Sequence, residues 1–260
     1  MNYSKSSVIR KQRKLRSTSD KLKTKTKISF FRIMLLTFAA LLTIGICAFF
    51  GIYKAVIDKA PDIETIDISP QGYSTTIYDC NGIVTQKLVG SDANRIYKSL
   101  DEIPKIVRNA FIAIEDARFY QHNGIDLRGI ARAAIFGIFS GEFDQGASTL
   151  TQQLIKNTAF GGGNESNFID RVERKIQEQY LAVKLEKRMD KDQILEYYLN
   201  TINLGQNTLG VEAASLRYFD KDVAELTLSE AAVIAGITQN PYYYNPISYQ
   251  KKNEEKRAIV

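Results

Sequence analysis

Read only as apolar and polar positions, the chain is a series of helical periods interrupted by one short alternating stretch. Residues 33–53 hold no charged side chain, twenty-one in succession, close to the ~20 that carry a helix across a bilayer. Residues 54–72, with Pro61 and Pro70, read as a linker. Residues 74–78 and 83–88 are β-prone on either side of an Asn81-Gly82 turn. They predict a small hairpin that packs the linker against the helical domain. From Leu100 onward the periods are helical. Ile106, Val107, Ala110, Phe111 and Ile114 form one stripe; Ile169, Val172, Ile176, Tyr180 and Val183 form a second; Ile194, Leu195, Tyr198, Leu199 and Ile202 form a third. Residues 127–139 are apolar nearly all round, as in a helix of the deep core or one partly immersed in lipid. Residues 226–236 read as an Ala-rich buried helix, and Gly161-Gly162-Gly163 as a loop. The expected class is mainly α with a small β-hairpin, preceded by one transmembrane helix.

Charge divides the chain in two. Residues 1–32 carry eleven Lys/Arg against Asp20 alone, a charge of +10, which leaves −4 for the rest of a chain totalling +6. The basic character belongs to a tail expected to be disordered and weakly attracted to anionic lipid. The remainder gives no support for nucleic-acid binding. Basic residues precede the apolar span, and Asp58, Asp62, Glu64 and Asp67 follow it. The positive-inside rule therefore puts the tail in the cytoplasm and everything after Tyr53 outside. No small-residue cleavage site precedes Lys54, so the span reads as an anchor and not a cleaved signal. Cys47 falls in the span and Cys80 outside it, which excludes pairing, and a single histidine, His122, excludes a His-rich zinc site. The organisation expected is a basic cytoplasmic tail (1–32), an anchor helix (33–53), linker and hairpin (54–100), a catalytic domain (101–250) and the start of a further, truncated segment (251–260).

Candidate chemistry begins where the first stripe ends, at Glu115-Asp116-Ala117-Arg118-Phe119-Tyr120-Gln121-His122-Asn123-Gly124. Two carboxylates stand there as a helix gives way to a Gly-marked turn. A carboxylate at the edge of an apolar surface suits acid/base work; a helix end with an Arg118 ion pair fits the same ten residues. Gly146-Ala147-Ser148-Thr149-Leu150-Thr151-Gln152-Gln153-Leu154-Ile155-Lys156-Asn157 then opens with Thr149 and Gln152 spaced as a capping box. Thr149, Gln152, Gln153 and Lys156 share a helix face: amides for sugar hydroxyls and an ammonium for phosphate, or a merely solvated face. In the next helix Arg174 and Glu178 are four apart, as in an exposed ion-pair ladder or in a carboxylate set among cations beside an anion.

Glu115 to Gly124 resembles the first signature of the peptidoglycan glycosyltransferase domain of class A penicillin-binding proteins and monofunctional transglycosylases. Gly146 to Asn157 resembles the second, and Arg174-Lys175-Ile176-Gln177-Glu178 the third. Residues 191–200 with Gly205, Gly210, Ala213, Ala214, Tyr218 and Phe219 are similar to the fourth, with Asp220 where the family usually has glycine. Gln239-Asn240-Pro241 and Tyr244-Asn245-Pro246 are similar to the fifth. Five ordered motifs over about residues 101–246 are far more specific than any one. Ser248-Tyr249-Gln250-Lys251 fits S-x-x-K, but no partner motif follows it, and it reads as a helix start.

The resemblance implies a lysozyme-like domain with a membrane-facing jaw at residues 127–139. The implied activity is polymerisation of lipid II into β-1,4-linked glycan with release of undecaprenyl pyrophosphate. Glu115 is then the general base and Glu178 the second catalytic carboxylate. Arg118, Thr149, Gln152, Gln153, Lys156, Asn157, Arg174 and Lys175 bind sugar or phosphate, while Asp116, Phe119, His122 and Ser148 support the motifs. A divalent cation, Mg or Mn, would offset the leaving pyrophosphate, and no organic cofactor is implied. Partners are lipid II, the growing strand, membrane lipid and cell-wall assembly proteins. Rival readings are a membrane-anchored lytic muramidase of the same fold, a non-catalytic scaffold, and the N-terminal part of a bifunctional penicillin-binding protein.

Overall fold

A computed structural model describes residues 4–88, 94–140, 146–163 and 165–260. It divides into two units, residues 1–58 and 59–260. The first is a single helix, α1 (Lys5–Asp58), whose segment Lys25–Asp58 is long and apolar enough to cross a membrane. From Lys5 onward the tail expected to be disordered is part of this helix. Between Lys5 and Ile44 there is neither Gly nor Pro, and Lys, Arg, Leu and Gln are strong helix formers, so nothing breaks the period.

The second unit opens with β1 (Thr75–Tyr78) and β2 (Val84–Leu88), antiparallel, with a bulge between Ile77 and Tyr78. Asp79 Oδ1 accepts the N–H groups of Asn81 and Ile83, each at 2.8 Å, and Gly82 takes φ +78° as the turn requires. The hairpin is mostly exposed. It is tied in through residues that flank it, where Tyr73 bridges Arg95 and Arg95 bridges Leu209.

Helices follow: α2 (Lys105–Glu115), α3 (Leu127–Ser140), α4 (Leu150–Ala159), α5 (Phe168–Leu185), α6 (Lys191–Thr201), α7 (Val211–Phe219), α8 (Leu228–Ala235) and α9 (Gln250–Arg257). α4 is the central strut, packed on α5 and α6, while α2 packs on α8. Leu150, Leu154 and Ile155 of α4 are fully buried with Ile194, Leu195, Tyr198 and Leu199 of α6, and Phe111 of α2 meets Tyr198 edge-on at 6.4 Å.

Two helices depart from the sequence pattern. The stripe expected on α5 is wrong at its start, because Ile169 and Val172 are exposed and the buried face is Gln177, Glu178, Leu181, Ala182 and Leu185. The helix carries two apolar faces, and only the one that α4 covers is taken into the core. On α3, Leu127 (74%), Ile135 (58%) and Phe136 (44%) are exposed, so this helix is not deep core. α7 ends on Asp220 at φ 52°, ψ 40°, a left-handed cap normally given to glycine.

Candidate active site

Glu115 is the last residue of α2, which stops because Asp116 leaves helical geometry at φ −156°, ψ 70°. The Asp116 side chain turns inward. It accepts from His122 Nε2–H at 2.9 Å and from the Leu150 N–H at 3.1 Å, where the exposed donors of the α4 N-terminus favour an anion. Phe119 is fully buried and edge-on to His122, ring centroids 6.3 Å apart. With Asp116 directed into the turn, Glu115 is left to the cleft. Its Oε2 accepts from the Gln153 amide and its Oε1 from the Thr238 hydroxyl. It stands on the wall of a cleft of about 150 Å³ shared with Arg118, Arg132, Ala147 and Ser148. Arg118 is forked onto Asp126, which holds the Asp126 carboxyl below the usual range.

The polar face of α4 is divided between two duties. Thr149 caps the helix, accepting the Gln152 N–H at 3.2 Å, and donates to the Gly124 carbonyl at 2.8 Å. The Gln152 amide donates to the same carbonyl at 3.0 Å instead of returning to Thr149, so the capping box forms by half. Both side chains are buried and face the protein interior. Gly124 itself takes φ +85°, and a Cβ there would lie 2.7 Å from the Ala182 backbone of α5. One carbonyl therefore pins the first motif to α4, while the same residue abuts α5. Gln153 and Lys156 are the members of this face left half-buried beside Glu115. Asn157 is elsewhere, on the wall of a separate cleft with Arg95 and Asn203.

Glu178 is 1% exposed and held between two cations. Its Oε1 pairs with Arg174, and its Oε2 lies 3.0 Å from Lys175 Nζ. Lys175 also donates to Ser148 Oγ at 2.7 Å, which links Glu178 to the rim of the Glu115 cleft. Arg174 reaches a further carboxylate, Glu165, at 2.8 Å. Lys156 makes no ion pair among the described residues, yet the charges of both Glu178 and Glu115 act on it. Burial pushes its ammonium below the ordinary lysine range, the two carboxylates pull it back, and Lys175 and Arg174 oppose them. Burial also raises the Tyr198 phenol beneath the site, with Glu115 and Asp116 adding to the effect. A buried carboxylate held by two cations, linked through Ser148 to the cleft of a half-buried one, can support transfer from an anionic leaving group to a hydroxyl.

The described side chains form no all-protein cage for a divalent cation. Among the described residues no three His, Cys, Asp or Glu converge, and Glu178 is already engaged by Arg174 and Lys175. Three contributors escaped the sequence reading. Thr238 immediately precedes Gln239-Asn240-Pro241, so the fifth motif was the signal for it. Arg132 is one of two cations, with Arg128, on an otherwise apolar helix. Asp126 lies two residues beyond the first motif.

The profile of one family, described as Transglycosylase, matches residues 81–260. Penicillin-binding protein 1A of Clostridium botulinum (strain Langeland) is 39% identical over 236 residues, 89% of this chain and 28% of the relative. The protein of that name from Clostridium novyi is 44% identical over 214 residues, 80% of this chain and 24% of the relative. That of Escherichia coli K12 is 38% identical over 233 residues, 90% and 26% respectively. The chain thus spans about a quarter of the length of these relatives. A crystal structure of penicillin-binding protein 1A from Haemophilus influenzae aligns over 72% of this chain and 17% of its own at 25% identity, with a TM-score of 0.37. Motif order, the matched span and the identities to the curated relatives agree, and the chain belongs to the peptidoglycan transglycosylase family.

Proposed function

We propose that the chain is a membrane-anchored peptidoglycan glycosyltransferase that polymerises lipid II into β-1,4-linked glycan outside the cytoplasmic membrane. The observation that carries this reading is Lys156, a cation without an ion-pair partner among the described residues, lying in the field of both Glu115 and Glu178. Glu115 takes the proton of the acceptor hydroxyl as that oxygen bonds to the donor's anomeric carbon. The anomeric C–O bond to phosphate breaks, and undecaprenyl pyrophosphate leaves with the electron pair. Lys156 neutralises the leaving group, and Glu178 holds Arg174 and Lys175 in place around it. Displacement by one nucleophile inverts the anomeric centre from α to β. Gln153 and Thr238 orient Glu115; Thr149 and Gln152 act one step back, through Gly124. Arg118 and Arg132 supply positive charge for phosphate or sugar at the cleft. The exposed apolar residues of α3, with Phe168 and Ile169 of α5, suit contact with the lipid that carries the substrate.

Glu115→Gln tests the assignment. Polymerisation of lipid II should fall by about 10³-fold or more with the thermal unfolding curve unchanged, and retained turnover would remove Glu115 as base. The lytic alternative is tested with purified glycan strands. Release of soluble fragments would favour a muramidase, which has no need of Lys156.

A further inference from the structure

A second cleft, of about 560 Å³, lies away from Glu115, between the linker, the C-terminal end of α4 and the end of α6. Its wall includes Arg95, 7% exposed, and Thr201, 8% exposed. Arg95 Nε and Thr201 Oγ1 are both buried with no hydrogen-bond partner. Arg95 also makes no ion pair among the described residues. A guanidinium whose Nε is buried without a partner is costly, and an anion bound in the cleft would offset that cost.

We infer that this cleft is a binding site for a small carboxylate, gripped by Arg95 and Thr201. The guanidinium presents a planar fork that matches two carboxylate oxygens, and the Thr201 hydroxyl can add a third donor. Asn157 and Asn203 line the same cleft and place side-chain amides where a ligand's own amide or hydroxyl groups would lie. Charge selects a monoanion over phosphate. Arg95 is the one cation among its lining residues, Asp67 lines it too, and the last carbonyls of α4 lend partial negative charge. Asp67 does not serve as Arg95's partner. Its carboxylate accepts within the linker instead, from the Ser69 N–H at 3.0 Å and the Gln71 amide at 2.7 Å. The site neither contains nor borders Glu115 or Glu178, so it stands or falls apart from the transferase reading.

The test titrates the full chain in detergent micelles by calorimetry with four probes: N-acetyl-alanyl-alanine, its C-terminal amide, glucuronate and inorganic phosphate. Binding by the free dipeptide acid assigns a peptide carboxylate, and binding by glucuronate assigns a sugar acid. In either case the neutral amide and phosphate should bind at least about tenfold more weakly. Arg95→Gln should abolish binding and raise the melting temperature of the ligand-free protein, because it removes an uncompensated buried charge. Thr201→Val should weaken binding several-fold without destabilising the fold. Failure of both acids to bind, equal binding of acid and amide, or a lowered melting temperature for Arg95→Gln with binding unchanged in Thr201→Val would overturn the site.

Discussion

At Lys156, burial lowers the ammonium pKa while Glu178 and Glu115 raise it, and the net shift is downward. A folded pKa below the unfolded lysine value means that the charged form opposes folding. That penalty is present at neutral pH and disappears as pH rises through the folded pKa toward 10.5. Lys156→Met should therefore raise the melting temperature at pH 7 while polymerisation falls by about 10²–10³-fold, the usual loss when one charge-stabilising donor is removed. A fall in both would make the residue structural. Spacing made Glu115, Glu178 and Lys156 candidates while leaving a helix-end ion pair and a solvated face equally open, and the motif resemblance chose between those readings. The fates of Thr149 and Gln152 were not. Helical periodicity puts them on the polar face, but only tertiary structure brings the Gly124 carbonyl from another segment to meet them. The same limit hid Arg95, whose isolation exists only once the linker, α4 and α6 close around it.

Among the elements, α7 and α8 carry the clearest stability predictions. Asp220 adopts the left-handed cap that glycine occupies at no steric cost, so Asp220→Gly should stabilise the domain by up to about 1 kcal/mol in chemical denaturation. At α8, Thr227 and Glu230 form a reciprocal capping box. Lys221, with the Thr227 N–H and hydroxyl, holds the Glu230 carboxyl down to about 2 from 4.5. A depressed carboxylate contributes stability that is complete above pH 4.5 and is lost as pH falls toward 2. Glu230→Gln should flatten the acid limb of the stability profile in that window, and an unchanged limb would show that the cap contributes nothing there. Inward helix faces were readable from periodicity, and all five residues of the third stripe, Ile194, Leu195, Tyr198, Leu199 and Ile202, are buried. Which face of α5 is covered was not, because two apolar faces compete and α4 decides between them.

For the molecule as a whole, the charge division and the span in α1 predict a topology. Cys47 and Cys80 are both free and exposed. A membrane-impermeant maleimide applied to intact cells should label Cys80, and Cys47 should react only after detergent dissolves the bilayer. Labelling of neither before lysis would reverse the orientation. Such an expectation can be drawn from sequence because a bilayer reads composition over about twenty residues and ignores tertiary detail.

The α-hydrogen of Gly124 sets a lower limit on how far apart the working parts of the enzyme can be. The first motif rests against the Ala182 backbone, on the helix that also carries Glu178, with no room for one more carbon atom. Lengthening that contact by a methyl would drive α5 outward and part Glu115 from Glu178 and the cations around it. Gly124→Ala should then uncouple two readouts: residual folding with every motif residue in place, and transfer reduced as severely as if a catalytic group had been deleted.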